Sequence, residues 1–408
     1  MKHSSPTPSQ VNQVDTCIAN EKISEVSRRN FIKMASASLA VLSFPSIGQA
    51  LTGNVNSGQT PKIVWVLLRG ALDSLHTVVP TSDPEYSVLR PTLASSFKAP
   101  LLPLEKGFAL HPSLVNLHNM YLANELSPIV AVSSGYDRRS HFDAQDYLES
   151  GIGKIDTDTG WLARAIDVKN KSALAVARTT PISLRSSTQV NTWYPSQLTS
   201  AHDDIYLSLE KLYQYDDGLS QNLTKGLELR GVVDQTSNKP QKRRGQFIEL
   251  SKSCAKLMNS DQQIDCAMLE VGGWDTHSNQ ANRLTQKLSE LDQGLAELKA
   301  GLGDQWNNTV VIVGTEFGRT AKENGTGGTD HGTGSALFVA GGAIAGGTVK
   351  GQWPGLANSA LLQQRDLMPT TNTFSWIATI LSQHWGFSPA EIARVFPHVS
   401  AYQDKLIK

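Results

Sequence analysis

The sequence predicts an α/β fold, a three-layer sandwich with a mainly parallel central sheet. Apolar runs rich in Val, Ile and Leu alternate with longer segments of helical periodicity. Several of these runs end directly in loops that carry acidic, hydroxyl or imidazole side chains. Runs that are apolar throughout are typical of parallel strands covered by helices on both faces. Because such sheets form their sites where the strands end, these loops are the places to look for chemistry.

Four apolar runs are predicted to be buried strands that end in polar loops, and a fifth run lies further along the chain. The four cover 62–68, 127–132, 264–271 and 310–313, and the fifth covers 336–340. All are short and rich in β-branched or apolar residues, as buried strands are.

Helical periodicity fills the intervals between these runs. It predicts helices over 112–125, 142–150, 201–229, 245–258 and 279–300. The last has leucines at three- and four-residue steps from Leu284 to Leu298, which form one amphipathic face. The polar stretch from about 235 to 244 is interpreted as a solvated linker, although its basic residues could also form a contact.

The amino-terminal region resembles a twin-arginine export signal. Ser27-Arg28-Arg29-Asn30-Phe31-Ile32-Lys33 precedes a moderately apolar run that ends in Gly48-Gln49-Ala50. This run is too short and too polar to span a bilayer. We therefore expect a signal peptide over 1–50, a linker over 51–61 and one domain over 62–400. The mature chain would be periplasmic or secreted after passing the twin-arginine machinery, with no membrane span.

Composition excludes some classes of function. Lys+Arg and Asp+Glu both number 37 in 408 residues, so charge gives no support to nucleic-acid binding. The sequence has three cysteines and no Cys-x-x-Cys, which argues against a thiolate metal site. Cys254 and Cys266 are expected to be two buried thiols, with a disulfide as the alternative.

Residues 315–332 form the most distinctive stretch of the chain. Glu316, Arg319, Asp330 and His331 lie there among many glycines, between the runs 310–313 and 336–340. Charged and imidazole side chains on glycine-rich loops at strand ends are typical of metal or catalytic sites in α/β enzymes. The alternative is a polar, hairpin-like connector between two strands.

A metal site is the chemistry that these strand ends predict together. Six side chains are candidate ligands, and they offer a mixed set of oxygen and nitrogen donors: Asp73, Asp275, His277, Glu316, Asp330 and His331. This set suits Zn²⁺, Mn²⁺, Mg²⁺ or Ca²⁺ better than copper or an iron–sulfur centre, and it can serve one metal or, sparingly, two. Taken singly, each has a plainer interpretation, such as a helix cap for an Asp that follows a strand.

Ser140 stands just before the predicted helix over 142–150, with Arg138 and Arg139 nearby. A hydroxyl at a helix start could attack or hold a phosphate or sulfate. With Asp143 three residues later, Ser140 could equally be a capping residue. The sequence contains no Gly-x-Ser-x-Gly, no P-loop and no dinucleotide-binding glycine motif after the first strand, so lipase, NTPase and dehydrogenase functions have little support.

Several motifs together resemble one family. This is domain-of-unknown-function family 1501, whose members are bacterial proteins exported by the twin-arginine pathway. The family looks like a branch of the alkaline phosphatase/sulfatase superfamily. The resemblance runs from 61 to 397, and its motifs are at 69–73, 77–80, 89–93, 110–112, 140–146, 272–277 and 315–332.

The resemblance implies an alkaline phosphatase-like fold with a divalent metal site. Asp73, Asp275, His277, Glu316 and His331 would then be metal ligands, and Ser140 would stand in the nucleophile's place. Two departures from the family patterns are Phe317, where relatives often have His, and Leu72-Asp73-Ser74-Leu75-His76, in which His76 could be an extra ligand. The sulfatase signature Cys-x-Pro/Ala-Ser-Arg is absent, which argues against formylglycine chemistry.

The expected function is hydrolysis of a phosphate or sulfate ester. Ser140 would attack, and Arg138 or Arg319 would bind the anion. The substrate would be a small anionic molecule or a polysaccharide. The alternative is a binding protein of the cell envelope that keeps a hydrolase scaffold without catalysis.

Overall fold

An eight-stranded sheet forms the centre of the protein. The computed structural model describes residues 60–187, 189–195, 203–234 and 245–408. The predicted signal peptide, residues 51–59 of the predicted linker and the polar stretch 235–244 lie outside the described residues.

The strands of the central sheet follow the order β11-β5-β10-β9-β1-β8-β6-β7. Every pairing in it is parallel except the two made by β10, which runs antiparallel to both β9 and β5. The predicted mainly parallel sheet is therefore confirmed. The strands are β1 (Lys62–Arg69), β5 (Leu126–Ser133), β6 (Ser172–Val176), β7 (Val190–Thr192), β8 (Ile264–Gly272), β9 (Thr309–Thr315), β10 (Ser335–Ala340) and β11 (Thr371–Asn372).

A second, three-stranded antiparallel sheet has the order β2-β4-β3. Its strands are β2 (Val78–Val79), β3 (Leu102–Pro103) and β4 (Ala109–Leu110).

Twelve α-helices lie in the part of the chain that the structure describes. They are α1 (Ser74–Thr77), α2 (Glu85–Leu89), α3 (Pro91–Ala94), α4 (Val115–Leu122), α5 (His141–Ser150), α6 (Trp161–Lys169), α7 (Asp203–Tyr213), α8 (Asp217–Asp234), α9 (Gln246–Ser260), α10 (Gln280–Leu302), α11 (Thr373–Trp385) and α12 (Pro389–Val395). None of the helices in the described ranges is long and apolar enough to cross a membrane.

The three-layer arrangement follows from the alternation of side chains along β1. Val64 and Val66 belong to a core shared with α4, α9 and α10. Ile63 and Trp65 belong to a second core, shared with α6, α11 and α12. Successive side chains of a strand point to opposite faces, so a run that is buried throughout needs helices on both faces.

The long predicted helix over 201–229 is two helices, α7 and α8. The chain turns between them, and the Asp216 carboxylate accepts a hydrogen bond from the Leu219 amide at 3.0 Å. An acidic side chain at this position starts a new helix by satisfying a free backbone donor.

Cys254 and Cys266 are free and buried, as predicted. Burial raises the pKa of the Cys254 thiol to about 12, so it stays protonated and unreactive at neutral pH.

The carboxyl ends of β1, β8 and β9 lie at one edge of the sheet because these neighbours are parallel. β5 is antiparallel to β10, which is itself antiparallel to β9, so β5 ends at that edge too. The four predicted site loops therefore lie together.

Candidate metal centre

The loop between β9 and β10 is a tightly packed extension of an antiparallel pair. The Gly318 amide donates to the Thr333 carbonyl at 3.0 Å, and Arg319 and His331 form an isolated antiparallel bridge. A Cβ at Gly318 would lie 1.8 Å from the Gly334 carbonyl oxygen. Glycine is therefore required there. This close pairing sets Arg319 beside His331 at the edge of the sheet.

Four side chains from three loops converge at this edge. Asp275 and His277 follow β8, His331 comes from the β9–β10 loop, and His141 is the first residue of α5. The Asp275 Oδ1 atom lies 2.9 Å from His277 Nε2 and 3.3 Å from His331 Nε2. The Asp275 Oδ2 atom lies 3.5 Å from His141 Nε2. We call these four residues the His₃Asp cluster.

An oxygen acceptor holds the Nδ1 atom of each imidazole in the cluster. His141 Nδ1 donates to the Glu316 carboxylate at 2.8 Å, and His277 Nδ1 donates to the Asp330 carboxylate at 3.2 Å. His331 Nδ1 donates to the Arg139 carbonyl at 3.0 Å. Since carboxylates and carbonyls only accept, the neutral His141 and His331 rings carry their proton on Nδ1, whereas both nitrogens of His277 face carboxylates. The Nε2 lone pairs of His141 and His331 are then directed inward, as in metal-binding histidines.

The cluster fits a divalent metal ion. His141 Nε2 is buried and has no hydrogen-bond partner. His277 Nε2 and His331 Nε2 are 3.0 Å apart, a separation that suits either a hydrogen bond between them or two ligands of one ion. The ligand atoms of His141, Asp275 and His331 all lie within 4.8 Å of one another. Ligands at about 2.0 Å from a tetrahedral ion lie about 3.3 Å apart, close to several of these separations.

Arg319 and Asp275 form an ion pair beside the cluster. The Arg319 guanidinium is fully buried and donates to Asp275 Oδ1 at 2.5 Å. Burial alone would raise the pKa of Asp275, but the hydrogen bond and charge of Arg319 outweigh it and the pKa is lowered. Asp275 is therefore an anionic ligand candidate at neutral pH.

Glu316 lies beneath His141 and does not face the other ligands. Its Oε1 atom accepts from the Gly70 amide at 2.8 Å and from Gln145 Nε2 at 3.0 Å, besides His141. Burial would raise the pKa of Glu316, but these donors lower it. The hydrogen bond from His141 to this anion in turn raises the pKa of His141. Glu316 thus orients His141 and makes it a more basic ligand.

Asp73 lies outside the cluster, in the interior. It accepts from Arg90 at 2.7 Å and from Gln280 Nε2, and it is 1% exposed. Asp330 is exposed and contacts the cluster through His277.

Ser140 precedes His141 and is the N-cap residue of α5 by position. Its side chain makes no capping hydrogen bond, so the cap proposed as the alternative is not formed. Arg138 is exposed, whereas Arg139 pairs with the buried Asp366 at 2.8 Å.

His141 is not among the six ligands predicted from the sequence. Its position could have indicated this role, because His141 directly follows Ser140 in the loop after β5. Phe317 is buried and stacks on His141 with ring centroids 4.9 Å apart.

Asp330 also lines a cleft of about 470 Å³. Its lining combines leucines with amide and charged side chains, among them Leu361, Asn324, Lys322 and Arg365.

Residues 139–375 match the family described as "Protein of unknown function (DUF1501)". This match spans more than half of the sequence. The chain belongs to the DUF1501 family. The predicted family is thereby confirmed, over a shorter range than the predicted 61–397. The comparison with curated proteins finds no match.

The solved structures to which this chain is similar include an alkaline phosphatase, a sulfatase and a protein in the alkaline phosphatase superfamily. The alkaline phosphatase of the Antarctic bacterium TAB5 is 13% identical, with 69% of this chain and 92% of that chain covered and a TM-score of 0.35. A 2-O GAG sulfatase is 7% identical, with coverages of 69% and 64% and a TM-score of 0.39. A superfamily protein from Vibrio parahaemolyticus is 11% identical, with coverages of 80% and 67% and a TM-score of 0.35. Function therefore has to be inferred from the side chains of the site in this DUF1501 protein.

Proposed function

We propose that this DUF1501 protein is an exported, metal-dependent hydrolase of phosphate or sulfate esters. One observation carries the proposal: the ligand atoms of His141, Asp275 and His331 lie within 4.8 Å of one another, with His277 Nε2 2.9 Å from Asp275 and Ser140 directly before His141. Export rests on the twin-arginine-like motif at Arg28-Arg29, and the mature chain would work in the periplasm or outside the cell.

His141, Asp275, His277 and His331 would hold the ion. Imidazole nitrogen with one carboxylate favours Zn²⁺ or a similar transition ion over Mg²⁺ or Ca²⁺, which prefer oxygen ligands. When bound, such an ion supplies Lewis-acid stabilisation of negative charge and lowers the pKa of a bound hydroxyl group.

Ser140 is the proposed nucleophile. Its Oγ atom would form the bond to phosphorus or sulfur as the bond to the leaving alcohol breaks, and the hydroxyl proton would pass to that alcohol. Water would then release the phosphate or sulfate and restore the serine hydroxyl. Arg138 is exposed two residues earlier, and its guanidinium suits bidentate binding of the anion's outer oxygens. Arg319 would contribute by holding Asp275 anionic. The cleft beside Asp330 would receive the alcohol part of the substrate, which is a small anionic molecule or part of a polysaccharide.

The test is hydrolysis of a panel of phosphate and sulfate esters by the full chain loaded in turn with Zn²⁺, Mn²⁺, Mg²⁺ and Ca²⁺. We expect turnover with at least one ion, and Ser140→Ala should reduce kcat by at least about 100-fold. Ser260→Ala is the control, since Ser260 is exposed and lies before the amino end of β8, opposite the end that carries Asp275. Absence of turnover with every ion and ester would refute the enzymatic proposal.

A second candidate is a binding protein that has kept the metal but not catalysis. It is favoured by the hydrogen bonds that two predicted ligands already make. Asp73 accepts from Arg90, and Glu316 accepts from His141 and Gln145. These carboxylates are thereby occupied, and among the described residues one group of three ligand candidates is found. Metal retained without hydrolysis of any ester would support this candidate.

A further inference from the structure

A chain of buried hydrogen bonds runs from the interior to the His₃Asp cluster. It starts at the Arg90–Asp73 pair, whose side chains are 0% and 1% exposed. Gln280 donates from Nε2 to the same Asp73 oxygen that accepts from Arg90. Gln280 is the first residue of α10 and is fully buried.

The orientation of the Gln280 amide is fixed by what surrounds it. A carboxylate only accepts, so the NH₂ group faces Asp73 and the carbonyl oxygen faces the other way. That oxygen accepts from the hydroxyls of Thr329 at 2.7 Å and Thr276 at 2.9 Å. Thr276 lies between Asp275 and His277, so Gln280 also holds the loop that carries two members of the cluster.

Thr329 passes this constraint on to Arg319. Its hydroxyl proton is donated to Gln280, so its lone pairs face Arg319, whose Nε donates to Oγ1 at 3.1 Å. A second guanidinium nitrogen donates to the Thr329 carbonyl. Two of the three Arg319 nitrogens are thus held by Thr329. The third nitrogen, Nη1, donates to Asp275.

We propose that Thr329 and Gln280 are positioning residues for the metal centre, and that Asp73 acts there through Arg319 and not as a ligand. We call the chain Asp73–Gln280–Thr329–Arg319 the relay. Its consequence is that Asp275 is held in place before any ion binds. The inference rests on the proposed metal centre.

The test compares Thr329→Val with Thr309→Val in the full chain. Both threonines are fully buried. Thr329→Val loses two hydroxyl hydrogen bonds, whereas Thr309→Val loses one, to the Gln305 carbonyl at the opposite end of β9. Zn²⁺ titrated into chelator-stripped protein should bind about tenfold more weakly to Thr329→Val. Thr309→Val should change the affinity less than about twofold, whatever its effect on stability. Thr329→Ser restores the hydroxyl and should restore the affinity.

A measurement without metal separates the relay from the proposed function. Asp275→Ala is combined with each threonine variant, and the urea midpoint of the metal-free chain is recorded. The relay predicts that Asp275→Ala and Thr329→Val are non-additive, whereas Asp275→Ala and Thr309→Val are additive. Additivity in both pairs, or wild-type Zn²⁺ affinity in Thr329→Val, would overturn the relay. If the wild-type chain binds no Zn²⁺, the metal centre fails and the non-additivity alone decides the relay.

Discussion

His141 is the residue on which the candidate centre depends most directly. Its Nδ1 is fixed by Glu316, and its Nε2 is buried without a partner. A group arranged in this way is a ligand before the ion arrives, since the ring cannot turn away without losing its hydrogen bond to an anion.

Replacing His141 with Ala should therefore lower Zn²⁺ affinity by at least about 100-fold, because one of the proposed ligands is lost. Isothermal titration of the chelator-stripped chain measures this. His118→Ala is the matched control. His118 lies on α4, is also partly buried and bonds to the Pro103 carbonyl. Equal affinity in the two variants would remove His141 from the centre.

Another histidine should determine stability in acid. His384 donates from Nε2 to the Lys62 carbonyl at 3.0 Å, and burial lowers its pKa from 6.5 to about 4. The unfolded chain then binds the proton more readily than the folded chain. Stability is complete above about pH 6.5 and falls as the pH drops toward 4.

The expected loss over this range is roughly 3 kcal/mol from His384. Urea unfolding of the metal-free chain between pH 7 and 4 measures it, and His384→Gln should flatten the dependence. His398→Asn, at an exposed histidine, should leave the dependence unchanged. A slope that His384→Gln does not alter would contradict this assignment.

How far the sequence predicts the site is seen in single residues. Asp275, His277 and His331 could be found because each ligand type stands where a strand ends. His141 was missed because a helix start gives Ser140 and its neighbours a plainer interpretation. The surroundings of Asp73 and Glu316 depend on Arg90, Gln280 and His141, which are distant in sequence, so spacing could not predict them.

Secondary-structure elements show the same division between local and distant information. The runs that became β1, β5, β8 and β9 were predicted to within two residues of their ends, because strands buried on both faces are apolar throughout. β6, β7 and β11 were not predicted. They have five, three and two residues, too few for a periodicity to show, and they are strands because neighbouring strands supply their hydrogen bonds.

The β9–β10 connection combines both interpretations given to 315–332. It joins two adjacent antiparallel strands, as a hairpin does, and it also carries Arg319 and His331. Its close backbone pairing brings these two residues together, so the connector and the site are one structure.

Gly318→Ala should therefore cost more than about 2 kcal/mol of unfolding free energy and weaken Zn²⁺ binding, because its Cβ would meet the Gly334 backbone. Gly325→Ala in the same loop is the control, since a Cβ there meets nothing within 4 Å. Denaturation and titration of the two variants measure both effects. If Gly318→Ala were as stable as Gly325→Ala, the tight pairing of the loop would be wrong.

On the scale of the whole molecule, the parallel sheet brings residues that are far apart in sequence to one edge. The segment from His141 to His331 covers most of the region that matches the family. An ion bound by both residues should therefore raise the free energy of unfolding of the whole folded region. The prediction of one domain over 62–400 and of a signal over 1–50 stays a prediction. Equal numbers of positive and negative side chains give no support to binding a polyanion such as nucleic acid.

The most direct test of the metal centre is the metal content of the full chain after purification without chelator, followed by Zn²⁺ titration. The structure predicts about one equivalent of a transition metal per chain, held by the His₃Asp cluster. A double variant, His141→Ala with His331→Ala, should lose it. A wild-type chain that neither retains nor binds a divalent ion, or a double variant that binds it unchanged, would contradict the account.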